Sequence, residues 1–600
     1  MSQYDSQNSP PAQPPPETLA AVLESLSAAE GIGYYFVGFD SQEQFYSYGR
    51  VYAEALRRGA HLSALGLKKG DRVALIISKG PEFVLSFLGA IVAGIVPVPI
   101  YPPAAAKSID GYLDNVTRII CESKAMILLT TEATKPLIES VAGRARELAQ
   151  VLTTETLFSG DAPVFEPPAV RPDDLCFLQF TSGSTSQPKG VMVTHANVMA
   201  NATAFMGARG LNRVPEDVGV SWLPLFHDMG LVGFIVGPLV WNNSSVIIST
   251  SAFARDPRVW LRTIHKYRGT ITYAPNFAYA LTTKRLRDQD LESLDLSCLR
   301  VAGCGAEPVH APTLRAFAER LAPAGFRAEA FLPSYGMAEA TLAVSFHRQG
   351  EALRVDKVDP DSIKWGSAAP ACEDSEKALE IVSCGFPFPG HQLSVVGEDG
   401  ASLPERRVGE IIIRGPSVAR GYFNSAEATA ATWKSGWLHT GDLGYIADGE
   451  LFVCGRVKDL IIVRGANFYP HDIEGAVRDL AGIRRGNVVA FGVSDEGEEK
   501  LVVVAEADFR DAATLRQSIA ARIYETAGID VHRIVLVPAG TLPKTSSGKP
   551  QRRKTRQLYE TRQLSEAAYD GATRANNSLT QAQDINEMHA GSAPTTPING

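Results

Sequence analysis

The segment Thr181–Gly190 contains the residue types that proteins use to hold an anion. It reads Thr-Ser-Gly-Ser-Thr-Ser-Gln-Pro-Lys-Gly and follows the apolar run Leu175–Phe180, which we expect to be a buried strand. A loop that leaves a strand can direct backbone N–H groups and hydroxyls at an anion, and glycine lets the backbone approach closely. Lys189 adds a point charge suited to phosphate oxygens. No Gly-Lys-Ser/Thr ending closes the loop, so it is not a Walker loop. Taken alone, it also fits a polar surface loop.

Five further segments carry side chains suited to chemistry. They are Gly303–Pro308 after the apolar run Leu299–Ala302, Ser334–Thr341, Thr440–Gly444, Gly455–Asp459 and Pro543–Lys549. Each has a structural reading when taken singly: Glu339 as a helix cap, Asp442 as a turn residue, Lys549 as a solvated lysine. Six such segments in this order favour a functional reading.

Together, the six segments resemble the motifs of the adenylate-forming superfamily of acyl-CoA synthetases, luciferases and peptide-synthetase adenylation domains. The resemblance covers Phe45 to Arg553. It is closest to the fatty acyl-AMP ligases, through Ser221–Leu231, Ala274–Tyr279 and Ser334–Thr341. Ser186 departs from the superfamily pattern, where many members have glycine, and the fatty acyl-AMP ligases often differ there too.

The resemblance implies a nucleotide site. Its nucleotide-binding residues would be Thr181, Ser182, Gly183, Ser184, Thr185, Lys189, Gly305, Ala306, Ser334, Tyr335, Gly336, Met337, Asp442 and Arg456. Tyr335 would stack on adenine, and Asp442 would accept hydrogen bonds from the ribose hydroxyls with help from Arg456. Glu339, with Thr185, would hold Mg²⁺, a hard cation that takes oxygen ligands.

The resemblance also implies catalytic residues. Lys549, on a Ser-Ser-Gly loop, would bridge the fatty carboxylate and the α-phosphate of ATP, and Lys458 would be the hinge of the small domain. His227 borders the acyl-carboxylate site in the family, which indicates substrate gating, although a satisfied core histidine is the alternative. His195 and His471 are expected to be structural.

The implied reaction is formation of a fatty acyl-adenylate with release of pyrophosphate. The acyl group would pass to the phosphopantetheine of an acyl carrier protein, in polyketide, lipopeptide or lipid biosynthesis. The chain after Leu564 is too short for a carrier domain, so the carrier is expected to act in trans. The basic segment Arg552–Arg562 is either its docking site or a solvated helix. An apolar tunnel for the acyl chain is expected beside Gly230–Val236 and Asn276–Leu281.

An insertion at residues 350–379 separates this chain from acyl-CoA synthetases. It lengthens the stretch between Tyr335 and Gly385, and it resembles the insertion that marks fatty acyl-AMP ligases. In that family it accompanies failure to use coenzyme A, so no coenzyme A use is expected. A tolerated surface loop is the alternative.

Composition excludes several protein classes. The net charge of −8 over 600 residues argues against a nucleic-acid binder. The seven cysteines are scattered, without metal or disulfide spacing, which fits a reducing cytoplasm, and Cys304 is expected to be a small buried residue. Met1–Pro16 lacks the basic start and apolar centre of a secretory signal, and no apolar run indicates a transmembrane segment.

The sequence predicts an α/β fold with two domains. The parts are a disordered arm (1–17), a large adenylation domain of layered sheets and helices with a β-rich subdomain (18–454), a small mobile α+β domain carrying Lys549 (455–563), and a disordered tail (564–600).

Three alternatives remain open from the sequence. A long-chain acyl-CoA synthetase would share the first half-reaction. An amino-acid-activating domain normally has a Phe-Asp-x-Ser segment, and none lies near Leu223–Leu231. A pseudoenzyme scaffold is disfavoured by the presence of Lys549, Glu339 and Asp442.

Overall fold

The computed structural model divides the chain into two compact units, Met1–Cys454 and Gly455–Gly600. It describes residues 16–39, 42–103, 109–181, 188–359, 365–372, 378–459, 461–463, 466–468, 470–495, 498–507, 511–544 and 549–564. The predicted arm up to residue 15 and the tail from 565 lie outside this set. No helix in the described part is long and apolar enough to cross a bilayer.

Strands and helices alternate along the larger unit. Its strands, the last of which runs across the unit boundary, are β1 (Gly33–Val37), β2 (Glu43–Ser47), β3 (Arg72–Leu75), β4 (Val96–Pro99), β5 (Ile127–Thr130), β6 (Gln150–Thr153), β7 (Leu175–Thr181), β8 (Lys189–Thr194), β9 (Val218–Ser221), β10 (Ser244–Ile248), β11 (Ile271–Ala274), β12 (Val301–Cys304), β13 (Phe331–Gly336), β14 (Ala343–Phe346), β15 (Val355–Val358), β16 (Leu379–Val382), β17 (Phe386–Pro387), β18 (Gln392–Val396), β19 (Gly409–Arg414), β20 (Trp433–Lys434), β21 (Trp437–Ala447) and β22 (Glu450–Arg456). Its helices are α1 (Leu19–Ser25), α2 (Tyr48–Ala64), α3 (Gly80–Val92), α4 (Ile109–Ser123), α5 (Lys135–Ile138), α6 (Thr154–Leu157), α7 (His195–Met206), α8 (Asp228–Leu231), α9 (Gly237–Val240), α10 (Thr250–Arg255), α11 (Arg258–Tyr267), α12 (Asn276–Arg285), α13 (Asp288–Glu292), α14 (Ala311–Leu321) and α15 (Ala426–Thr432).

A nine-stranded sheet in the order β17-β14-β13-β12-β11-β9-β10-β1-β2 forms the centre of the larger unit. Its middle strands are parallel, and every residue of β11 and β12 is buried, as expected for strands covered on both faces. The predicted motifs Gly303–Pro308 and Ser334–Thr341 begin at the carboxyl ends of β12 and β13. In open parallel sheets this edge is where ligands bind.

A second sheet, β4-β3-β5-β6, is entirely parallel, and β7 and β8 form a separate antiparallel hairpin. Helix α7 follows the hairpin and begins with a capping box. The Thr194 hydroxyl accepts a hydrogen bond from the backbone N–H of Asn197, and the side-chain oxygen of Asn197 accepts one from the backbone N–H of Thr194, both at 3.1 Å. The same Asn197 side chain donates to the carbonyl of Pro416 at 2.8 Å, which fixes the segment leading to Tyr422.

The β-rich part of the larger unit is a sheet in the order β18-β19-β21-β20, with β22 paired to β21. The predicted insertion contains β15, which pairs antiparallel with β16 at its far end. Asp356 accepts hydrogen bonds from Arg406 at 2.9 Å and from the Tyr445 hydroxyl at 2.6 Å. Arg354 pairs with Glu450 at 2.9 Å. The insertion is therefore joined to this sheet by charged and polar side chains.

The smaller unit has its own apolar core. Its elements are the strands β23 (Ile461–Val463), β24 (Ala466–Phe468), β25 (Ile483–Asp495), β26 (Glu498–Ala507) and β27 (Arg533–Val537) and the helices α16 (Pro470–Val477), α17 (Ala512–Ala527) and α18 (Arg552–Glu560). Strands β25-β26-β27 form one sheet. Leu564, predicted as the first residue of the tail, is buried against this sheet with Val489 and Val504.

The α/β prediction is confirmed, while some element boundaries differ. The strand predicted at Leu299–Ala302 is β12, so Gly303 lies inside the sheet. A Cβ at Gly303 would lie 2.1 Å from the Tyr273 ring, which explains the glycine there. Strands β1 and β2 were not predicted, because β1 is stabilised by pairing with the remote strand β10.

Candidate active site

The predicted phosphate loop is the turn of the β7–β8 hairpin. Thr181 and Lys189 face each other as the last paired residues at its base. Ser182, Gly183, Ser184 and Thr185 lie outside the described residues. The antiparallel ladder therefore fixes where the loop begins and ends.

Tyr422 lies beside Lys189. The backbone around Tyr422 continues the hairpin: the N–H of Phe423 donates to the Gly190 carbonyl at 2.7 Å, and Met192 donates to the Gly421 carbonyl at 2.9 Å. The Lys189 Nζ lies 4.9 Å from the centroid of the Tyr422 ring, within cation–π range.

Glu339 is held by the same tyrosine. The Tyr422 hydroxyl donates to Glu339 Oε1 at 2.8 Å, and both side chains are buried. The Glu339 carbonyl accepts from the N–H of Ala419 at 2.9 Å. Thr341, just after Glu339, has φ of +70°, and its hydroxyl donates to the Ser417 carbonyl at 2.7 Å. Lys189, Tyr422 and Glu339 thus form one chain of contacts.

Tyr335 and Asp442 form a second contact between distant segments. The Tyr335 hydroxyl donates to Asp442 Oδ2 at 2.7 Å, and both residues are buried. Met337 lies near the same hydroxyl, with its Sδ 4.0 Å away. Gly336 is required by close packing, because a Cβ there would lie 2.0 Å from the Leu342 carbonyl oxygen.

Gly305 and Ala306 line the neighbouring strand end. A Cβ at Gly305 would lie 2.8 Å from the Ser334 carbonyl oxygen, so only glycine fits beside Ser334. Ala306 has φ of +71°, an unusual conformation for a residue with a side chain. Because Ser334, Tyr335 and Glu339 belong to one short segment, the contacts above bring the described residues of the larger unit that were predicted to bind nucleotide into one region.

His227 caps a neighbouring helix. It precedes α8, and its Nδ1 lies 2.5 Å from Asp228 Oδ1. The carbonyl of Phe226 accepts from the Gln179 side chain at 3.0 Å, which ties this loop to the strand that leads into the phosphate loop. His227 is half-buried, so it can meet a ligand while retaining its contact with Asp228.

The predicted acyl region contains a widened helical turn. Val232–Val236 is a π-helix, and the buried Tyr34 hydroxyl donates to the Ile235 carbonyl at 2.7 Å. Gly233 is half-buried, and a Cβ there would lie 3.6 Å from Leu342. π-Turns occur frequently at functional sites. Half-buried apolar or small residues continue along this region: Phe226, Met229, Gly233, Phe277, Leu281 and Leu342.

Lys549 lies next to the closure of a loop in the smaller unit. Lys544 and Pro550 form a bridge across residues 545–548, and the N–H of Gln551 donates to the Pro543 carbonyl at 2.7 Å. Lys549 is half-buried, next to this closure. The loop base is thus fixed by its backbone.

Arg552 connects the Lys549 segment to the predicted hinge segment. Its guanidinium donates to Asp459 Oδ2 and to both oxygens of Glu474, at 2.9 Å in each case. Asp459 follows the predicted hinge residue Lys458 in a 3₁₀ turn, and Arg456 is the exposed last residue of β22.

Tyr422, Glu410 and Arg552 were missed from the sequence. Tyr422 stands next to Gly421, but nothing local shows that β8, far earlier in the chain, is its neighbour. The Glu410 carboxylate contacts His439 and the Gly441 N–H, and the sequence predicts only a β-rich subdomain there. Arg552 was read only as part of a basic segment. A pairing of strands would have been needed to find the first two.

The described residues contain no group of three or more His, Cys, Asp or Glu side chains arranged to hold a metal ion. A single buried carboxylate, Glu339, is nevertheless suited to Mg²⁺, which usually binds proteins through one or two carboxylates and takes its other ligands from water and substrate phosphates. Its Oε1 is oriented by Tyr422, as metal-binding carboxylates commonly are.

Comparison with known proteins identifies the class. The profile of the AMP-binding enzyme family matches residues 29–423, and that of the Disco-interacting protein 2-like AMP domain matches residues 458–569. The chain belongs to the AMP-binding enzyme family.

Individual relatives narrow this class. The long-chain-fatty-acid–AMP ligase FadD26 of Mycobacterium bovis is 35% identical over 87% of this chain and 93% of its own. The medium-chain-fatty-acid–acyl-carrier-protein ligase JamA of Moorena producens is 35% identical over 81% and 85%. A Caulobacter vibrioides protein provisionally named acyl-CoA synthetase is 39% identical over 90% and 95%. A solved structure from a study of fatty acyl-adenylate ligases of E. coli and L. pneumophila aligns with a TM-score of 0.86 at 37% identity, covering 91% of this chain and 98% of the other. Within the family, the chain is a ligase of the fatty acyl-AMP ligase group.

Proposed function

We propose that this protein uses ATP to convert medium- or long-chain fatty acids into fatty acyl-adenylates. It then passes the acyl group to the phosphopantetheine thiol of an acyl carrier protein, forming a thioester as the bond from the acyl carbon to the AMP oxygen breaks and AMP leaves. The observation that carries the proposal is the meeting of two contact chains, Lys189–Tyr422–Glu339 and Tyr335–Asp442, at the carboxyl ends of β12 and β13. The residues proposed to hold phosphate, metal, adenine and ribose therefore lie in one region.

The first step is attack of a carboxylate oxygen on the α-phosphorus of ATP. The new bond joins that oxygen to phosphorus, the bond from the α-phosphorus to the bridging oxygen breaks, and pyrophosphate leaves. Both reactants are anionic, so the enzyme must position them and neutralise charge. Thr181–Lys189 holds the terminal phosphates, Tyr335 packs on adenine beside Gly305 and Ala306, and Asp442 accepts from the ribose hydroxyls.

Glu339, with Thr185, is proposed to hold Mg²⁺. When bound, the ion supplies charge neutralisation for the phosphate oxygens and a template for their orientation. The hydroxyl of Tyr422 limits the positions open to the Glu339 carboxylate. Lys189, near the other side of that ring, adds positive charge for the phosphates.

The smaller unit is proposed to supply the catalytic cation. Lys549 stabilises the negative charge that builds between the carboxylate and the α-phosphate. Arg456 assists at the ribose, and Lys458 serves as the hinge of this unit. The segment 545–548 contains two serines and a glycine, which suits a lysine that must reach the substrate and withdraw.

The acyl chain is proposed to lie along the half-buried apolar residues around the π-turn, including Gly233, Phe277 and Leu281. Burial of a methylene group contributes about 0.8 kcal/mol, so such a region favours aliphatic substrates. His227, between the phosphate-loop strand and α8, is proposed to gate the carboxylate end.

The carrier partner is supported by one relative, because JamA is named as a ligase of fatty acid to acyl carrier protein. We place the reaction in the cytoplasm and in lipid, lipopeptide or polyketide biosynthesis. No nucleic acid takes part in it.

Formation of an acyl-coenzyme A thioester is the second candidate, since the Caulobacter relative bears that provisional name. One experiment separates the two. The protein is incubated with ATP, Mg²⁺ and a mixed fatty-acid pool, and then divided between coenzyme A and a phosphopantetheinylated carrier protein. We expect acyl-AMP by mass spectrometry and acyl transfer to the carrier only. Robust acyl-coenzyme A would favour the alternative, and absence of any acyl-AMP would refute the adenylation step itself.

A further inference from the structure

Glu410 and His439 lie close to Asp442 in the chain or across the sheet: Glu410 is on β19, and His439 is on β21, three residues before Asp442. β19 and β21 are antiparallel, and their register shifts between Glu410 and Ile412. One residue of β19 faces the three-residue segment Thr440–Asp442 of β21 at this point. That segment is a bulge, so its backbone groups lack regular ladder partners.

The Glu410 side chain supplies a partner for one of these groups. Its Oε1 accepts from the backbone N–H of Gly441 at 3.0 Å, and its Oε2 accepts from His439 Nδ1 at 2.8 Å. An ionised carboxylate can only accept, so the histidine ring nitrogen is the donor. Hydrogen bonds to a charged group are about twice as strong as neutral ones. One oxygen of the Glu410 carboxylate thus holds the bulge, while the other is held by His439.

Thr440 completes the arrangement. Its hydroxyl donates to the Ile411 carbonyl at 2.7 Å and accepts from the Asp442 N–H at 3.0 Å. Gly441 has φ of +70°, the left-handed region that glycine adopts without strain. The backbone that carries Asp442 is therefore held by the side chains of Glu410 and Thr440.

We infer that Glu410, together with His439, is a positioning residue that sets the Asp442 carboxylate for recognition of the ribose hydroxyls. The inference rests on the proposed role of Asp442. A carboxylate that accepts two hydrogen bonds from a sugar must be held within about 0.5 Å of its binding position. A bulge without supporting side chains would not hold Asp442 that closely. Glu410 acts through Gly441, and His439 orients Glu410.

The test measures kcat and KM for adenylation with ATP, 2′-deoxy-ATP and 3′-deoxy-ATP. The wild-type protein should prefer ATP. Glu410→Ala should lower kcat/KM for ATP about 10-fold, the loss expected for a charge-assisted hydrogen bond, mainly through KM. Its kcat/KM for the deoxy analogues should change less, so the discrimination shrinks. Glu410→Gln should fall between, because the amide oxygen keeps one acceptor.

Two comparisons separate positioning from general stability. His439→Asn keeps a donor near Nδ1 and should retain most of the discrimination, whereas His439→Ala should lose part of it. Gln392→Ala removes a cross-strand hydrogen bond to Arg414 elsewhere in the same sheet, at 2.6 Å, and should leave discrimination intact. If Glu410→Ala does not fold, Glu410→Gln and His439→Ala carry the test.

Full discrimination in the Glu410 variants, or a uniform loss with all three nucleotides, would overturn the inference. Asp442→Ala distinguishes this failure from failure of the proposed function. If Asp442→Ala also discriminates like the wild type, the ribose role of Asp442 is wrong. If it loses discrimination while the Glu410 variants keep it, only the positioning role is wrong.

Discussion

Asp442 and Lys549 are the two residues with the sharpest predicted roles, and they lie in different structural settings. Asp442 is buried, bonded to Tyr335, and stands on a bulge whose backbone is held by Glu410 and Thr440. Lys549 is half-buried next to the Lys544–Pro550 bridge, which closes the base of its loop.

The difference follows from the two tasks. A residue that recognises a sugar gains from rigidity, because an orientation fixed in advance costs no ordering entropy on binding. A cation that must meet charge as it develops, and then allow product to leave, gains from being able to move. The comparison predicts that variants of the first kind change nucleotide affinity, while variants of the second kind change the rate of chemistry.

Lys549→Ala should give the largest effect. We expect the single-turnover rate of acyl-AMP formation to fall about 10³-fold, the scale for removing one group that stabilises transition-state charge. The dissociation constant for ATP, measured by calorimetry, should stay within about twofold.

Lys544→Ala is the matched control, because it removes the lysine at the other end of the same loop and should leave the rate near the wild-type value. Equal losses in the two variants, or an unchanged rate in Lys549→Ala, would contradict the catalytic assignment.

Arg552→Met should weaken the base from which Lys549 projects. The substitution leaves the carboxylates of Asp459 and Glu474 without their shared guanidinium. We expect the smaller unit to lose about 2 kcal/mol of unfolding free energy, the scale for hydrogen bonds to charged groups. Hydrogen exchange of α16 and α18 in the full chain measures it.

On the same helix, Arg556→Met removes an exposed pair with Glu560 and should cost at most about 0.5 kcal/mol. If both variants exchange alike, Arg552 is not an anchor of this unit.

His195 gives the larger unit a pH dependence. Its Nδ1 accepts from the Leu19 N–H at 3.2 Å, and burial lowers its pKa to about 4, with the nearby Asp174 carboxylate opposing the shift. The ordinary pKa of histidine is about 6.5, so the unfolded chain takes up the proton first. This stability is fully present above pH 6.5 and is lost as the pH falls towards 4. At pH 5 the loss should be about 2 kcal/mol.

The measurement is the unfolding free energy of the wild type relative to His195→Gln between pH 7.5 and 5. Glutamine keeps an acceptor but does not titrate in this range. The difference in unfolding free energy between the two proteins should decrease by about 2 kcal/mol as the pH falls to 5. A constant difference would show that His195 is not the source of the pH dependence.

Tyr422→Phe should give the smallest of these effects. It keeps the ring beside Lys189 and removes only the hydroxyl that orients Glu339. We expect the apparent affinity for Mg²⁺ to fall about 10-fold, as for loss of a group that orients a metal ligand. Mn²⁺ binding in the presence of ATP, followed by electron paramagnetic resonance, reads this without turnover. An unchanged Mn²⁺ affinity would separate Tyr422 from the metal site.

Much of the fold was accessible from the sequence because local patterns carry it. The apolar run Leu175–Phe180, predicted as a buried strand, is β7 to within one residue, since a continuous apolar run followed by polar residues and glycine marks the end of a buried strand. The site residues of the larger unit lie together because their motifs sit at strand ends, which a sequence displays as an apolar run followed by glycine and polar residues.

What escaped prediction depends on pairing between remote segments. Tyr422 enters the site through contacts with β8, and Glu410 acts across a register shift that no single strand reveals. Strand β1 forms because β10 lies beside it. The roles given to the site residues, Lys549, Asp442 and Glu339 among them, stay predictions, because they depend on contacts with substrate.

The anchoring of residues 350–379 constrains anyone who wishes to shorten this protein. Excising the segment would remove Arg354 and Asp356. The side chains of Arg406, Tyr445 and Glu450 would then lose the polar partners that these two residues provide. A variant that simply joins residues 349 and 380 would therefore lose stability, whatever the function of the insertion. A shortened variant therefore needs apolar residues, or residues that pair with each other, at those three positions. Only then can its activity report on the role of the insertion.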